Sequence, residues 1–141
     1  MPDQPSVDDE LAPIDYFVVT FPDGKIGGAG LARLADLVRA GVIRILDIEL
    51  ARCGGDGTVT VVAPGEVESS DDADLSFLEG ASSGLLDGAD LSALSGSLQP
   101  GELAVTVVFE NVWVLSLIEP WRRAGARLLD DGGLPAEDLV A

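Results

Sequence analysis

The chain contains no histidine, one cysteine and one lysine among its 141 residues, and aromatic residues make up only 5% of it. The absence of histidine removes the commonest general base and the commonest metal-binding side chain of proteins. Cys53 stands alone, so it cannot form an intrachain disulfide or share a metal ion with a second thiol. We therefore predict no metal ion, no cofactor and no catalytic residue.

Positive charge is also scarce, because 25 acidic residues stand against 8 basic ones and give a net charge of −17 at pH 7. A surface this acidic repels phosphate backbones and anionic lipids, so we expect neither nucleic acid nor a membrane as a partner. Small cations or a basic patch on another protein are compatible with the charge. The main interpretation is an acidic bacterial protein that is kept soluble by self-repulsion.

Long hydrophobic runs are missing, although 47% of the residues are hydrophobic and indicate a globular chain. The longest apolar stretch, residues 103–118, is interrupted by Glu110 and Asn111 and is too short and polar to span a bilayer. The N-terminus is acidic and rich in proline, unlike a signal peptide. We expect a cytoplasmic protein with a disordered acidic arm over residues 1–12 and a single domain over residues 13–141.

Two segments are almost continuously apolar, as in strands that are buried on both faces: "IDYFVVTF" from Ile14 and "LAVTVVF" from Leu103. Each is followed by a helical pattern and then by a related sequence, "RAGVIRILD" from Arg39 or "RAGARLLDD" from Arg123. Two such β-α-β units predict an α+β fold of the ferredoxin-like, split β-α-β type. The predicted sheet is antiparallel or mixed, with four or five strands and with helices on one face.

In this topology the two apolar strands are central, and the strands at residues 42–50 and 126–129 lie outside them. A further strand at residues 58–63 extends the sheet beside residues 42–50. An alternative assignment makes residues 58–63 the third ferredoxin strand and the following insert its second helix. This insert, residues 64–101, is acidic and rich in leucine, and its leucines suggest short helical pieces laid on the core.

The glycine-rich stretch "FPDGKIGGAGLARL" lies between a strand and a helix, where phosphate-binding loops occur. A P-loop needs a lysine after its last glycine and then a hydroxyl side chain, but Lys25 precedes the glycine pair here. Arg33 occupies the third glycine position of the dinucleotide-binding pattern. We predict a strand-to-helix turn without a ligand.

The acidic stretch "SSDDADLSFLE", residues 69–79, could suggest a calcium loop. Counted from Asp72, however, the fifth, sixth and twelfth EF-hand positions, which require an acid or amide, a glycine and a glutamate, are Ser76, Phe77 and Ser83. We interpret the stretch as the solvated, acidic start of a helix.

The candidate functional site is "FENVW", residues 109–113, because the end of a central strand often presents ligand-binding groups. The predicted ligand-binding residues are Tyr16, Glu110, Asn111, Trp113 and Trp121. In the competing interpretation, Asn111 caps a helix over residues 112–124, Trp113 packs in the core and Glu110 is solvated. Pro120 inside that helix predicts a kink or a late restart.

The segments "IDYFVVTFP", "LVRAGVIRILDIEL", "ELAVTVVFENVW" and "RRAGARLLDDGGLPAEDL" are also informative together. They resemble a family of small, mostly actinobacterial proteins that is catalogued as a domain of unknown function. The resemblance covers Ile14 to Val140. It implies a ferredoxin-like fold and self-association, and it brings no activity, cofactor or catalytic residue.

Three functional hypotheses follow. The first is a non-enzymatic module that forms a homo-oligomer through its sheet or an edge strand, unless the insert covers the second face of the sheet. The second is a small-molecule sensor or cofactor-free enzyme with a pocket near Trp113, in which Glu110, Asp15 or Asp47 would act as acid or base. The third is an acidic partner of a basic protein. Salt would weaken the binding between these two proteins.

Overall fold

The computed structural model describes residues 12–71, 74–86, 90–91, 93–94, 96–127 and 129–130. Within them the chain forms an α+β fold of four strands, three α-helices and a short 3₁₀ helix. In chain order these are β1 (Ile14–Phe21), α1 (Gly28–Arg39), β2 (Arg44–Cys53), β3 (Val59–Val62), the 3₁₀ helix (Pro64–Glu66), α2 (Ser76–Glu79), β4 (Leu103–Glu110) and α3 (Trp113–Arg123).

The four strands form one antiparallel sheet in the order β1-β4-β2-β3. β4 is central, and Thr106 lies between Val18 of β1 and Glu49 of β2. A bulge between Ile45 and Asp47 shifts the register of β2 against β4. The predicted antiparallel sheet, the central strand from Leu103 and the added strand beside β2 are therefore confirmed.

Two predictions about the sheet are wrong. β1 is an edge strand, and no described residue pairs with its outer edge. Ala126, Arg127 and Leu129, which were expected in an outer strand, are not in a strand. The chain turns back at the end of α3, where Gly125 has a φ of 101° and the Ala126 N–H bonds to the Trp121 carbonyl. The alternative assignment is also wrong. It requires β3 between β1 and β2, but β4 lies there and β3 is at the far edge.

One face of the sheet, which we call the α1 face, carries the main core. Leu31 and Leu34 of α1 pack there with Val105 and Val107 of β4. Leu78 of α2 joins the same cluster and is 1% exposed, so the insert is anchored in the core. Burial of each such side chain contributes about 1.5 to 3 kcal/mol.

The opposite face, which we call the Thr106 face, is partly covered by the insert. Leu94 and Leu98 pack against Cys53 and Ala104 near one end of the sheet. Towards β1 the cover is incomplete, because Tyr16 on the same face is 47% exposed. The insert therefore covers part of this face and leaves the side near β1 accessible.

α3 continues through Pro120 as one helix, Trp113–Arg123, and its N-cap is Val112. The predicted cap Asn111 makes no capping side-chain hydrogen bond, because its side chain is engaged elsewhere. Just after α1, Gly41 ends the helix with a φ of 75° and an N–H bond to the Val38 carbonyl.

Candidate functional site

β1 presents four consecutive bulky apolar side chains to solvent. Tyr16, Phe17, Val18 and Val19 are each 36% to 47% exposed. Because side chains alternate along a strand, Tyr16 and Val18 lie on the Thr106 face and the other two on the α1 face. An edge strand that is exposed and apolar on both faces is a candidate interaction surface. We call this surface, residues 16–19, the β1 edge.

One interpretation of the sequence expected Glu110 to be solvated. The Glu110 residue is instead 2% exposed, at the end of β4. Its Oε1 accepts a hydrogen bond from Arg44 Nε at 2.7 Å, and its Oε2 accepts one from the Ala12 N–H at 2.6 Å. Both oxygens are therefore used inside the protein. Through these two hydrogen bonds, Glu110 holds Ala12, before β1, and Arg44, at the start of β2, against the central strand β4.

Asn111 connects the same corner to β1. Its side-chain amide donates to the Pro13 carbonyl at 3.1 Å and to Asp15 Oδ2 at 3.0 Å. Its Oδ1 accepts a hydrogen bond from Trp113 Nε1 at 3.2 Å. The FENVW corner is thus a network of internal hydrogen bonds that orders the chain before β1 and the start of α3.

Trp113 and Trp121 do not pack in the core, because they are 49% and 55% exposed. With Leu117 they recur every four residues and lie along one side of α3. Neither tryptophan lines the clefts described below, whereas Tyr16 lines one of them. The predicted site residues are therefore divided between the FENVW corner, the surface of α3 and β1.

A cleft of about 540 Å³ opens on the Thr106 face between the sheet and the insert. Tyr16, Val18, Thr106 and Val108 form its sheet side. Its remaining described lining residues are Ile14, Asp15, Leu85, Leu86, Asp90, Leu91 and Leu94. Thr106 is 6% exposed, and its hydroxyl oxygen has no hydrogen-bond partner among the described residues. The sequence did not indicate this site, because a threonine in a valine-rich strand resembles an ordinary core position.

Two carboxylates, Asp47 and Glu49, are buried side by side on β2. Burial acts to raise the pKa of Asp47, but N–H bonds from Ser83 and Leu86, both 2.8 Å, hold that pKa below its ordinary value. Burial, helped by the adjacent Asp47 charge, raises the pKa of Glu49 despite a 2.7 Å bond from the Ser82 hydroxyl. These contacts tie the insert to the sheet.

A second cleft, of about 550 Å³, lies on the α1 face between α1 and β1. Its lining is apolar apart from Arg33 and includes Phe17, Val19 and Phe109. Phe17 and Phe109 are in tilted contact, with 5.8 Å between their ring centroids. The β1 edge is therefore bordered by a cleft on each face of the sheet.

The glycine-rich loop leads into α1, and its helix start is occupied from within the chain. The Gly28 N–H donates to Asp71 Oδ1 at 3.2 Å, and the Ile26 N–H donates to the Glu68 carbonyl at 3.0 Å. A carboxylate thus takes the place at the helix N-terminus where a phosphate would bind. Ile26 itself is buried in the main core.

Cys53 is 1% exposed and packs in the small cluster on the Thr106 face. In the described part of the chain, no three acidic or cysteine side chains gather closely enough to hold a metal ion. The described helices also include none with the length and hydropathy that a membrane crossing requires.

Comparison of the whole sequence with protein families matches residues 10–141 to the one described as "Family of unknown function (DUF6325)", and the chain belongs to this family. No curated protein matches the chain. No solved structure matches it either. The mostly actinobacterial distribution expected from the sequence resemblance stays a prediction.

Proposed function

We propose that this chain, to which its family assigns no activity, is a non-enzymatic cytoplasmic module that forms a homodimer through the β1 edge. In the dimer, β1 of one copy pairs antiparallel with β1 of the other, and the two sheets become one continuous sheet of eight strands. The single observation that carries the proposal is the run of four half-exposed apolar side chains, Tyr16 to Val19, on an edge strand whose outer side pairs with no described strand.

The two edges of the sheet differ in a way that supports this choice. β3, at one edge, has four residues and is followed directly by Pro64, and short strands and prolines are features that prevent edge-to-edge pairing. β1, at the other edge, has eight residues, contains neither lysine nor proline, and pairs with β4 without a bulge. In its own length and sequence, β1 thus lacks these protective features of an edge strand, while β3 has them.

The sheet order gives a second argument. β1, α1 and β2 are arranged around β4 as in one half of a split β-α-β fold. The full ferredoxin-like plan has one more strand beside β1, which the described residues do not supply. We propose that β1 of the second copy takes this position, so that the ferredoxin-like arrangement is completed between subunits.

The pairing has a defined geometry. A two-fold axis perpendicular to the sheet keeps the helices of both copies on the same side and pairs residues of the same face. The two registers that pair most of the strand place either Phe17 opposite Phe17 or Val18 opposite Val18. Asp15 is the charged residue of β1 and lies near the end of the strand, so the middle of the joint is apolar.

Light scattering of the purified protein at low and high salt tests the proposal. We expect twice the mass of one chain, and we expect the dimer to persist at high salt because apolar contacts and backbone hydrogen bonds hold it. High salt also screens the repulsion between two chains of net charge −17. Val19→Lys should give a monomer, since it places a charge in the middle of the joint.

Val61→Lys is the matched control, because Val61 is 52% exposed on β3 at the opposite edge of the sheet. It should remain dimeric. A monomeric wild-type protein would overturn the proposal, and so would a dimer that Val61→Lys disrupts and Val19→Lys does not. An assembly that forms only with a basic protein, and dissociates in salt, would favour the acidic-partner hypothesis instead.

Crosslinking distinguishes the β1 pairing from other dimers. Phe17→Cys and Val18→Cys place a thiol at the two possible positions on the dimer axis, and one of them should form an intermolecular disulfide under mild oxidation. The wild-type chain is the control, because its cysteine, Cys53, is buried. A dimer that neither variant crosslinks would contradict the pairing.

A further inference from the structure

The cleft between α1 and β1, on the α1 face, has an apolar lining and a single charged residue, Arg33. From this combination we infer that the cleft binds a free single-chain acid, that is, an unbranched hydrocarbon chain that ends in one carboxylate. The site lies on a face of the sheet rather than along the outer side of β1, and the inference does not depend on the proposed dimer.

Arg33 provides the positive charge. Its side chain forms no hydrogen bond or ion pair with any described residue, although acidic residues outnumber basic ones by 25 to 8 in the chain. Asp36, one turn further along α1, bonds to Arg39 instead. The Arg33 guanidinium is therefore available to an anion from outside the chain, and its planar group of donors matches a carboxylate.

The walls of the cleft are suited to a hydrocarbon body. Phe17 and Val19 of β1 line it and are 40% and 41% exposed, so apolar surface is left open to water here. A bound hydrocarbon would remove that surface from water, which is favourable in proportion to the area covered. The volume of about 550 Å³ falls within the range of small-molecule sites, which are mostly apolar with a few polar groups that fix orientation.

The cleft is long enough for an extended chain. Its lining follows α1 from Gly27 to Leu37, about 15 Å of helix at 1.5 Å per residue. It follows β1 from Phe17 to Phe21, about 13 Å of strand at 3.3 Å per residue. Gly30 lies within the α1 wall, and a Cβ atom at this position would have no neighbour within 4 Å. The wall therefore leaves room beside Gly30 for a ligand.

The acidic surface of the chain does not exclude one carboxylate at this place. None of the described lining residues is acidic, and Asp15, on the same face near the start of β1, is bonded to Asn111. Exposed charges more than about 8 Å away are largely screened at physiological ionic strength. An extended anionic bilayer would instead meet the repulsion of the whole net charge of −17, so the ligand is a free acid and not a membrane lipid.

Amide NMR titration with three ligands of one chain length tests this inference. The ligands are decanoate, decanol and decylammonium, each used below its micelle-forming concentration, and binding is followed at the Val19, Gly30 and Phe109 amides of the cleft. We expect saturable shifts with decanoate, weaker binding of decanol and the weakest binding of decylammonium, although the net charge favours a cation. The inference is wrong if decanoate gives no saturable shifts there, or if either of the other ligands binds there as tightly.

Arg33→Met removes the positive charge and keeps an apolar stem. It should weaken decanoate binding about five-fold, as expected for one exposed ion pair, and leave decanol binding unchanged. Arg127→Met is the matched control, because Arg127 is an exposed arginine that does not line the cleft and its loss changes the net charge equally. Equal decanoate affinities for the wild type and Arg33→Met would overturn the assignment of Arg33 to the carboxylate.

Gly30→Leu tests whether the hydrocarbon chain lies in the cleft. The leucine side chain should occupy the room beside α1 and abolish decanoate binding without lowering the thermal stability, since leucine favours a helix more than glycine does. Ala29→Leu is the control, because Ala29 is exposed on α1 and does not line the cleft. Unchanged decanoate binding by Gly30→Leu would show that the ligand binds elsewhere and would contradict the inference.

Val18→Lys separates this test from that of the dimer. Like Val19→Lys it places a charge in the middle of β1 and should give a monomer, but Val18 lies on the Thr106 face and does not line this cleft. The variant should therefore bind decanoate with unchanged affinity. A protein that dimerises and binds no decanoate would contradict this inference alone. A monomeric wild type that binds decanoate would contradict the proposed dimer alone.

Discussion

Arg44 and Glu110 face each other across the two inner strands of the sheet, β2 and β4, with Arg44 Nη2 2.7 Å from Glu110 Oε1. The Glu110 side chain is 3% exposed, whereas that of Arg44 is 57% exposed. The arginine therefore brings positive charge from the surface to a carboxylate that is withdrawn from solvent. Removing it would leave that carboxylate buried beside one backbone N–H.

Arg44→Met should lower the free energy of unfolding by about 2 kcal/mol, because it leaves the buried Glu110 charge without its partner. Chemical denaturation of the variant and the wild type measures the difference. Arg39→Met is the control, since the pair of Arg39 and Asp36 is exposed on α1 and should contribute less than about 1 kcal/mol.

The double variant Arg44→Met/Glu110→Gln provides the second half of this test. The side-chain amide that replaces the Glu110 carboxylate is neutral and can still accept the hydrogen bond from the Ala12 N–H, so the double variant should recover part of the lost stability. If it is no more stable than Arg44→Met alone, the loss comes from packing of the arginine stem and not from the unpaired charge.

Leu78 tests whether the acidic insert is part of the folded domain. Leu78→Ala should lower the free energy of unfolding by about 3 kcal/mol, because it opens a cavity in the main core under α2. Leu85→Ala is the matched control, since Leu85 is a half-exposed leucine of the same insert and should cost less than about 0.5 kcal/mol. Equal, small effects in denaturation would show that the insert does not depend on the core.

The sequence predicted the strands well and the position of β1 poorly, for a physical reason. An apolar run shows that both faces of a strand avoid water, but it does not show whether the same chain or a partner provides the cover. β4 and β1 have similar runs, yet β4 is buried between two strands and β1 is half exposed at the edge. The repeated "RAG" sequence suggested an outer strand that the described residues do not form.

The candidate site was harder to predict, because it depends on contacts between distant segments. Glu110 looked like a ligand-binding residue at a strand end, but Arg44 and Ala12 occupy it from 66 and 98 residues away. Thr106 gave no signal, because only the packing of the insert shows that its hydroxyl is buried without a partner. Tyr16 lines the accessible cleft on the Thr106 face, and Trp113 is not among the lining residues of that cleft.

Glu49 should make the stability depend on pH. Its pKa in the folded protein is raised above 4.5, the ordinary value that holds in the unfolded chain. At a pH between the unfolded-state and the folded-state pKa, the folded protein therefore binds more protons than the unfolded chain. Stability from this group therefore falls as the pH rises through that window. Glu49→Gln should be more stable than the wild type at neutral pH, and the difference should vanish as the pH is lowered towards 4.5.

Thermal denaturation of both proteins over a pH series measures this effect. Asp47 acts in the opposite direction, since its pKa is lowered and its stabilising contribution is lost as the pH falls through the folded-state value. Both proteins contain Asp47. The difference in stability between Glu49→Gln and the wild type at each pH therefore excludes the part of the Asp47 contribution that is the same in both. A constant difference at every pH would mean that Glu49 titrates alike in the folded and unfolded states.

Cys53 should be unreactive in the folded protein, because it is 1% exposed in a small apolar cluster. A thiol reagent such as Ellman's reagent should modify it slowly in buffer and rapidly after denaturation in guanidinium. Val18→Cys, whose thiol would lie at an exposed position of the β1 edge, is the positive control when it is kept reduced and monomeric. Rapid modification of the folded wild type would show that the insert opens readily from the Thr106 face.

Asp71 should stabilise α1 by acting as its N-terminal anion, because its carboxylate accepts the Gly28 N–H from a position 43 residues further along the chain. Asp71→Ala should lower the free energy of unfolding by about 1 kcal/mol, and Asp71→Asn by less, since asparagine keeps an acceptor and loses only the charge. Thermal denaturation with and without phosphate completes the test. Phosphate should not stabilise the wild type, because the carboxylate already occupies the helix start, and a clear rise in melting temperature would mean that the glycine-rich loop accepts an external anion after all.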